Sequence, residues 1–268
     1  MDNKVYIDLC ALVAEHTGVQ LIQRNGPKRA IRRYAHARGF LTVRSYLTHV
    51  QKNLAVEIPL LCDNGLIHQT NFGRDSKFWE SLQAHFFGHI LPGEPVRILS
   101  LGCSNGHELA TVAVLAHQRT EPENITIDAW DISPKCIADA MNPTFAKQLK
   151  AKLPFMPARA WKSLEEFHPG KMRLIPELVT RIHARVGDVR TRTGVWWGQE
   201  AEAYDLVLCR NLLLYLEASV VQDTYEVITK VLDRRRGGFL GIGKADAPPP
   251  HKLFQGLAPM LYCLGRKT

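Results

Sequence analysis

At 268 residues, with 46% hydrophobic and 22% charged side chains, the chain has the make-up of an ordinary globular protein that can bury a sizeable core, as one large α/β domain or a small domain plus a medium one. It has no long apolar run and no basic-then-apolar start, so neither a membrane span nor an export signal is expected. Its six cysteines include no CxxC, which disfavours disulfide scaffolds and zinc ribbons and favours reduced thiols in the cytoplasm. The net charge of +8 is unevenly placed: no acidic residue lies between Glu15 and Glu57, whereas Arg24, Lys28, Arg29, Arg32, Arg33, Arg38, Arg44 and Lys52 are basic.

The first stretch reads as helices. Asp8 to Glu15 is helical and ends at Thr17-Gly18, Gly26-Pro27 opens a basic helix, and Thr42 or Ser45 caps another before Val50. If the basic segment is helical, Arg29, Arg32, Arg33 and His36 share one face while Ile31, Tyr34 and Ala35 turn inward. Such a stripe suits an acidic helix or nucleic acid; a plain solvated face is the competing reading. An extended piece, Val56-Glu57-Ile58-Pro59, and the turn Asp63-Asn64-Gly65 mark a boundary, giving a basic helical domain over 1–66 and an α/β domain over 67–268.

Asp75 to Phe87 forms a helix with an apolar stripe of Phe78, Trp79, Leu82 and Phe86. Val96 to Leu101 is an apolar strand that ends in Gly102-Cys103-Ser104-Asn105-Gly106 before a helical pattern from Glu108 to His117. A glycine turn between strand and helix lets a ligand approach the backbone. Ile125 to Trp130 is a second strand ending at Asp131, placed to accept hydrogen bonds from ribose hydroxyls. Pro134 starts a helix through Met141, residues 144–166 read as irregular helix, and 167–187 as a small antiparallel flap.

Trp196-Trp197 falls in a loop. Tyr204 to Cys209 is a buried strand running into Arg210-Asn211 and then Tyr215. In an open α/β sheet, ligands sit outside the carboxyl ends of the strands, so these polar groups are site candidates. A helix from Glu217 to Leu232, a strand from Phe239 to Ile242 and a last, antiparallel strand from Leu261 to Leu264 complete the chain. His85 and His89 have helical spacing but no third ligand, so a metal is not expected.

The succession ILSLGCSNGHE, AWDISP, ARVGD, YDLVLCRNLLLYL and GGFLGIG, preceded by TNFGRDSKFWESL, resembles the S-adenosylmethionine-dependent glutamate methyltransferases of bacterial chemotaxis receptors (CheR-type). The resemblance covers nearly the whole chain. It implies a doubly wound Rossmann-like methyltransferase sheet with a small helical N-terminal domain and a small antiparallel insertion. The implied activity is glutamate O-methylation on chemoreceptor cytoplasmic helices, docked through Arg29, Arg32 and Arg33. The implied cofactor is S-adenosyl-L-methionine, held by His68, Thr70, Arg74, Gly102, Ser104, Gly106, Glu108, Asp131, Asp188, Val189, Asn211 and Leu212, with Arg74 and Tyr215 at the reacting centre.

For several of these residues a structural role competes: an ion pair with Asp75 or another acid for Arg74, core packing for Tyr215, helix capping for Asn211, a first-turn charge for Glu108 and a bare loop carboxylate for Asp188. The chain also departs from the family pattern. Gly73 stands where a phenylalanine is usual, His107 where a glutamate is usual, His68 where an asparagine is usual, and Leu109-Ala110-Thr111 replaces proline-tyrosine-serine. Those departures leave two rivals: a catalytically silent cofactor-binding or scaffold module, and an RNA or small-molecule methyltransferase on the same scaffold.

Overall fold

The computed structural model describes residues 3–21, 25–66, 70–147, 153, 155–156, 158–189, 203–233 and 236–264. Four helices come first: α1 (Asn3–Thr17), α2 (Asn25–Ala37), α3 (Val43–Lys52) and α4 (Leu54–Gly65). α1 and α2 each pack on α3 and α4. α2 buries Pro27, Ile31 and Ala35 and exposes Arg29, Arg32, Arg33 and His36, the division expected from a 3.6-residue period. Thr42 caps α3 in a reciprocal capping box with Ser45.

Val56–Pro59, expected to be extended, lies inside α4. The reason is tertiary. A helix here turns Ile58, Leu61 and Cys62 into the core and carries Glu57, 1% exposed, to a cluster of donors. Arg38 Nη1 reaches its two carboxylate oxygens at 2.5 and 2.6 Å, the Tyr46 hydroxyl donates at 3.0 Å, and His49 Nε2 lies at 3.1 Å. These contacts offset the lost intrahelical bond and the ring crowding that Pro59 brings to the helix interior.

The main sheet has seven strands in the order β6 (Ile182–Val186), β2 (Ile125–Asp131), β1 (Val96–Leu101), β7 (Leu206–Cys209), β8 (Phe239–Ile242), β10 (Leu261–Leu264) and β9 (Phe254–Ala258). The first five are parallel; β10 pairs antiparallel with both β8 and β9. β9 is an element that the sequence reading did not anticipate. Its burial is weak apart from Phe254, so it carries little apolar alternation. The parallel strands are apolar because both sheet faces are covered. One face packs on α5 (Ser76–His85) and α6 (His107–Ala116) through Ile98, Leu206 and Leu208. The other packs on the N-terminal helices and α9 (Ala218–Val231) through Leu99, Leu101, Val207 and Cys209. The N-terminal helices and the sheet therefore share one buried cluster.

Between β2 and β6 lie α7 (Pro134–Ala140), capped by Ser133, then a three-stranded antiparallel sheet in the order β3 (Thr144–Ala146), β5 (Lys171–Leu174), β4 (Leu164–His168), then α8 (Pro176–Val179). This corrects the sequence reading twice. The described part of 144–166 is not predominantly helical: it supplies two strands and a 3-10 turn at Ala158–Ser163. Ile182–Val186 belongs not to the small flap but to the main sheet, in parallel register with β2 from Ile127↔Ile182 to Asp131↔Val186. Alternation alone could not separate these cases, because strand identity is decided by the partner that covers it. Among the described residues no helix is long and apolar enough to cross a membrane, and all six cysteines are free thiols.

Burial pushes the Glu57 carboxyl up, but its hydrogen bonds to Arg38, Tyr46 and His49 outweigh that and leave it below the ordinary carboxylate value. A depressed carboxylate stabilises the fold above its unfolded value of about 4.3 and loses that contribution as pH falls through the lower folded value. Glu57→Gln presents an amide nitrogen to donors, so it is expected to cost about 1–3 kcal/mol at neutral pH. In urea titrations its deficit should shrink as the pH is taken down through about 4 and below.

Candidate active site

A cavity of about 290 Å³ opens where β1, β2, β6, β7 and β8 end, near the lower size range of small-molecule sites. Each wall follows from a strand end. Gly102 and Ser104 come from the turn after β1, Asp131 from the tip of β2, Asp188 and Val189 from the segment after β6, and Asn211, Leu212 and Tyr215 from the segment after β7. Thr70 and Arg74 enter ahead of α5, and Glu108 from the first turn of α6. Eleven of the residues named from sequence thus line one cleft. Gly106 does not: it caps α6 behind the wall, against Ala140. His68 and the Trp196-Trp197 pair lie outside the described residues.

The cleft is underpinned by charges. Arg210, whose side chain is 2% exposed, donates from Nη2 to Asp75 Oδ2 at 2.7 Å and from Nη1 to Glu108 Oε2 at 3.0 Å. Its guanidinium carbon lies 4.2 Å from the Phe78 ring centroid and 5.2 Å from that of Trp79. Glu108 also accepts from the Ser100 hydroxyl at 3.0 Å. Burial raises the Glu108 carboxyl above its ordinary value, and Arg210 opposes that rise. Asp75 gives Arg210 its close contact and stands 3.9 Å from Arg74 Nε. The rival reading of Arg74 as an ion pair with Asp75 or another acid therefore stands beside the cofactor reading.

Asp131 turns back on its own scaffold: Oδ2 accepts from Ser104 N at 2.8 Å and Oδ1 from Ser133 N at 2.9 Å. These bonds fix its carboxylate at the cleft while leaving each oxygen further acceptor capacity. Asn211 is in the left-handed region at φ 58 and caps no α-helix; Glu217 occupies the cap position of α9. Tyr215 is half-buried. Burial raises its phenol and the nearby Arg74 charge opposes that, so it remains a neutral hydroxyl able to donate. The end of α1 closes the cleft: Thr17 and Val19 line it, Val19 forms an antiparallel bridge with Leu216, and Gln20 N donates to Tyr215 O at 2.6 Å.

Three departures from the family pattern meet at the seat of the insertion rather than in the cleft. The His107 ring is 3.1 Å from Thr144 O. Gly73 N donates to Thr111 Oγ1 at 2.9 Å. A Cβ at Gly73, where φ is +71, would stand 2.4 Å from Leu153 Cδ2 and 3.2 Å from the Phe155 ring. A larger residue at 73 would be strained by the positive φ and would have to displace the ends of those two side chains of the insertion. Gly73, His107 and Thr111 thus contact the insertion or one another instead of the cleft, an arrangement that the sequence did not disclose. Sequence reasoning named Arg210 with Asn211 as a site candidate without its acidic partners, and it passed over Trp79, Thr17 and Val19 as lining residues. A buried arginine directly after a strand carried a signal, because it requires acidic partners; the α1 residues carried none.

Among the described residues no group of three or more His, Cys, Asp or Glu could hold a metal. The donor set instead fits S-adenosylmethionine: carboxylates at the tips of two adjacent strands for hydroxyl and amine groups, an arginine fork for a carboxylate, and a glycine under the cleft. A Cβ on that glycine, Gly102, would press to 3.3 Å on Leu212.

Removing Arg210 would leave Glu108 and Asp75 without their shared cation. Arg210→Ala is expected to cost about 3–5 kcal/mol at neutral pH, and Arg210→Lys to recover only part, since its single nitrogen lacks the planar fork whose two ends meet Asp75 and Glu108 separately. Without Arg210 the Glu108 carboxyl rises further, so the deficit relative to the parent protein should widen as pH goes from about 5 to about 8 in chemical denaturation.

The family model described as CheR methyltransferase, SAM binding domain, matches residues 68–257. The chain is 28% identical over 246 residues to a probable biofilm formation methyltransferase WspC of Pseudomonas putida, a match covering 88% of this chain and 53% of that protein. It is 22% identical to a chemotaxis protein methyltransferase of Listeria monocytogenes, covering 91% and 90% of the two chains, and 27% identical to chemotaxis protein methyltransferase 2 of Vibrio cholerae, covering 76% and 71%. It thus spans about half the length of the Pseudomonas relative and nearly all of the Listeria one. A match across well over half of the chain, falling on the segments that build this cleft, makes the protein a member of the CheR methyltransferase family that carries its S-adenosylmethionine-binding domain.

Proposed function

We propose that this protein forms methyl esters on glutamate side chains of a protein substrate, the acidic cytoplasmic helices of chemoreceptors, using S-adenosylmethionine. The observation that carries the reading is the convergence of Arg74, Asp131, Asn211 and Tyr215 on one cleft at the strand ends. When bound, S-adenosylmethionine supplies a sulfonium methyl open to in-line displacement by a carboxylate oxygen. A glutamate with a reference pKa of about 4.3 is already ionised at neutral pH, so no general base is required. The protein's task is then alignment and exclusion of water.

In this reading Asp131 accepts from the ribose hydroxyls, and Asp188 with Val189 borders the adenine. Thr70, Gly102, Ser104, Asn211 and Leu212 hold the amino-acid end, with Glu108 towards its ammonium. The Arg74 fork orients a carboxylate, either the cofactor's or the acceptor's, and the Tyr215 hydroxyl donates beside it. Trp79, Thr17 and Val19 wall off solvent. The exposed Arg29, Arg32 and Arg33 of α2 raise the local concentration of an acidic helix. The names of the Listeria and Vibrio relatives support a chemotaxis substrate.

Calorimetric titration with S-adenosylhomocysteine should give one site per chain, and tritiated-methyl transfer should label glutamyl esters in receptor membranes. Arg74→Ala is expected to lower that labelling by about 100-fold or more while keeping a measurable product-nucleoside complex. Absence of binding would sink the cofactor reading of this cleft. Binding without any labelled ester would favour the silent module, and label in RNA the nucleic-acid rival.

A further inference from the structure

We propose that Asp246 is a positioning residue of the cleft: it sets the Arg210–Tyr215 segment through that segment's backbone and so places Asn211, Leu212 and Tyr215. The inference rests on the cofactor reading of the cleft given above. Asp246 lies just beyond β8, 7% exposed, and is not itself on the cavity wall. Its carboxylate gathers three backbone donors: Oδ2 accepts from Gly243 N at 2.7 Å and Asn211 N at 2.6 Å, and Oδ1 from Leu214 N at 3.1 Å.

Two features say that this segment needs an external anchor. Asn211 sits at φ 58, a left-handed conformation that asparagine adopts more readily than most residues with a side chain but that its surroundings still have to select. Leu214 is 41% exposed at the cleft, so apolar burial does not fix its place. The junction also has no slack: a Cβ on Gly243 would fall 2.5 Å from Asn211 Nδ2 and 2.6 Å from Asn211 N.

A carboxylate is the group suited to this task, because it accepts at both oxygens and donates at neither. An asparagine could keep its single oxygen on Asn211 N and Gly243 N only by turning its amide N–H groups onto Leu214 N–H. Asp246→Asn should therefore release Leu214 selectively and leave Asn211 tethered, whereas Asp246→Ala should release both. Gly243→Ala reaches the same segment from its other side, displacing Asn211 without altering the carboxylate.

The experiment combines amide hydrogen exchange with calorimetric titration by S-adenosylhomocysteine on the full chain. In Asp246→Asn, exchange at Leu214 should rise by about 10-fold or more while Asn211 and Gly243 stay within about 3-fold of the parent. Asp246→Ala and Gly243→Ala should each weaken the product nucleoside by roughly 10-fold or more, the loss expected when one or two hydrogen bonds' worth of placement goes. If Asp246→Ala does not fold, the Asp246→Asn exchange pattern and Gly243→Ala carry the test. Parent-like exchange at Leu214 in Asp246→Asn would overturn the assignment, as would uniform loss of protection across β7 and β8, which marks a role in stability alone. Product-nucleoside affinity within about 2-fold of the parent in folded Asp246→Ala would also overturn it. A parent chain that binds no S-adenosylhomocysteine would sink the cofactor reading instead, and the exchange pattern would still decide whether Asp246 sets the segment.

Discussion

One buried cation ties the cleft together. Arg210 stands at the tip of β7, yet its two carboxylate partners belong to other elements: Asp75 opens α5, directly after Arg74, and Glu108 lies in the first turn of α6, directly after the glycine turn. A guanidinium fork satisfies both because its donors point in fixed, divergent directions. The aromatic faces of Phe78 and Trp79 contact the cation from α5, which offsets part of the cost of taking it out of water. Three segments distant in sequence are thereby held at one point, and the cleft is the space they leave.

The N-terminal helices complete that space. Their apolar residues join those of one sheet face in a single buried cluster, and the residues that follow α1 pair with the segment carrying Tyr215. The basic face of α2 is thus carried on the same packed body as the end of the cleft that Tyr215 lines, so that the exposed Arg29, Arg32 and Arg33 and the strand-end cavity share one support.

Sequence made the sheet legible wherever an apolar run ended in a glycine or polar turn, as at Leu101-Gly102, Trp130-Asp131 and Cys209-Arg210. Those borders coincide with strand ends because burial stops there. It was least informative where a partner decided the outcome. Val56 to Pro59 read as an extended piece, but a helix there brings Glu57 to its three donors on other elements. Ile182 to Val186 alternates like a hairpin strand, and only its register with β2 assigns it to the large sheet. Of the cleft, the side chains at strand tips could be read. The supports beneath them, Arg210 on its two acids and Asp246 on its three amides, could not, since their partners lie up to 135 residues away.

The tight fit at Gly73 reaches beyond its own site. A Cβ there would meet the ends of the Leu153 and Phe155 side chains, so position 73 and the inserted segment touch directly. Any side chain added at 73 would first be felt by the insertion, and any change of the insertion would alter the room beside Gly73.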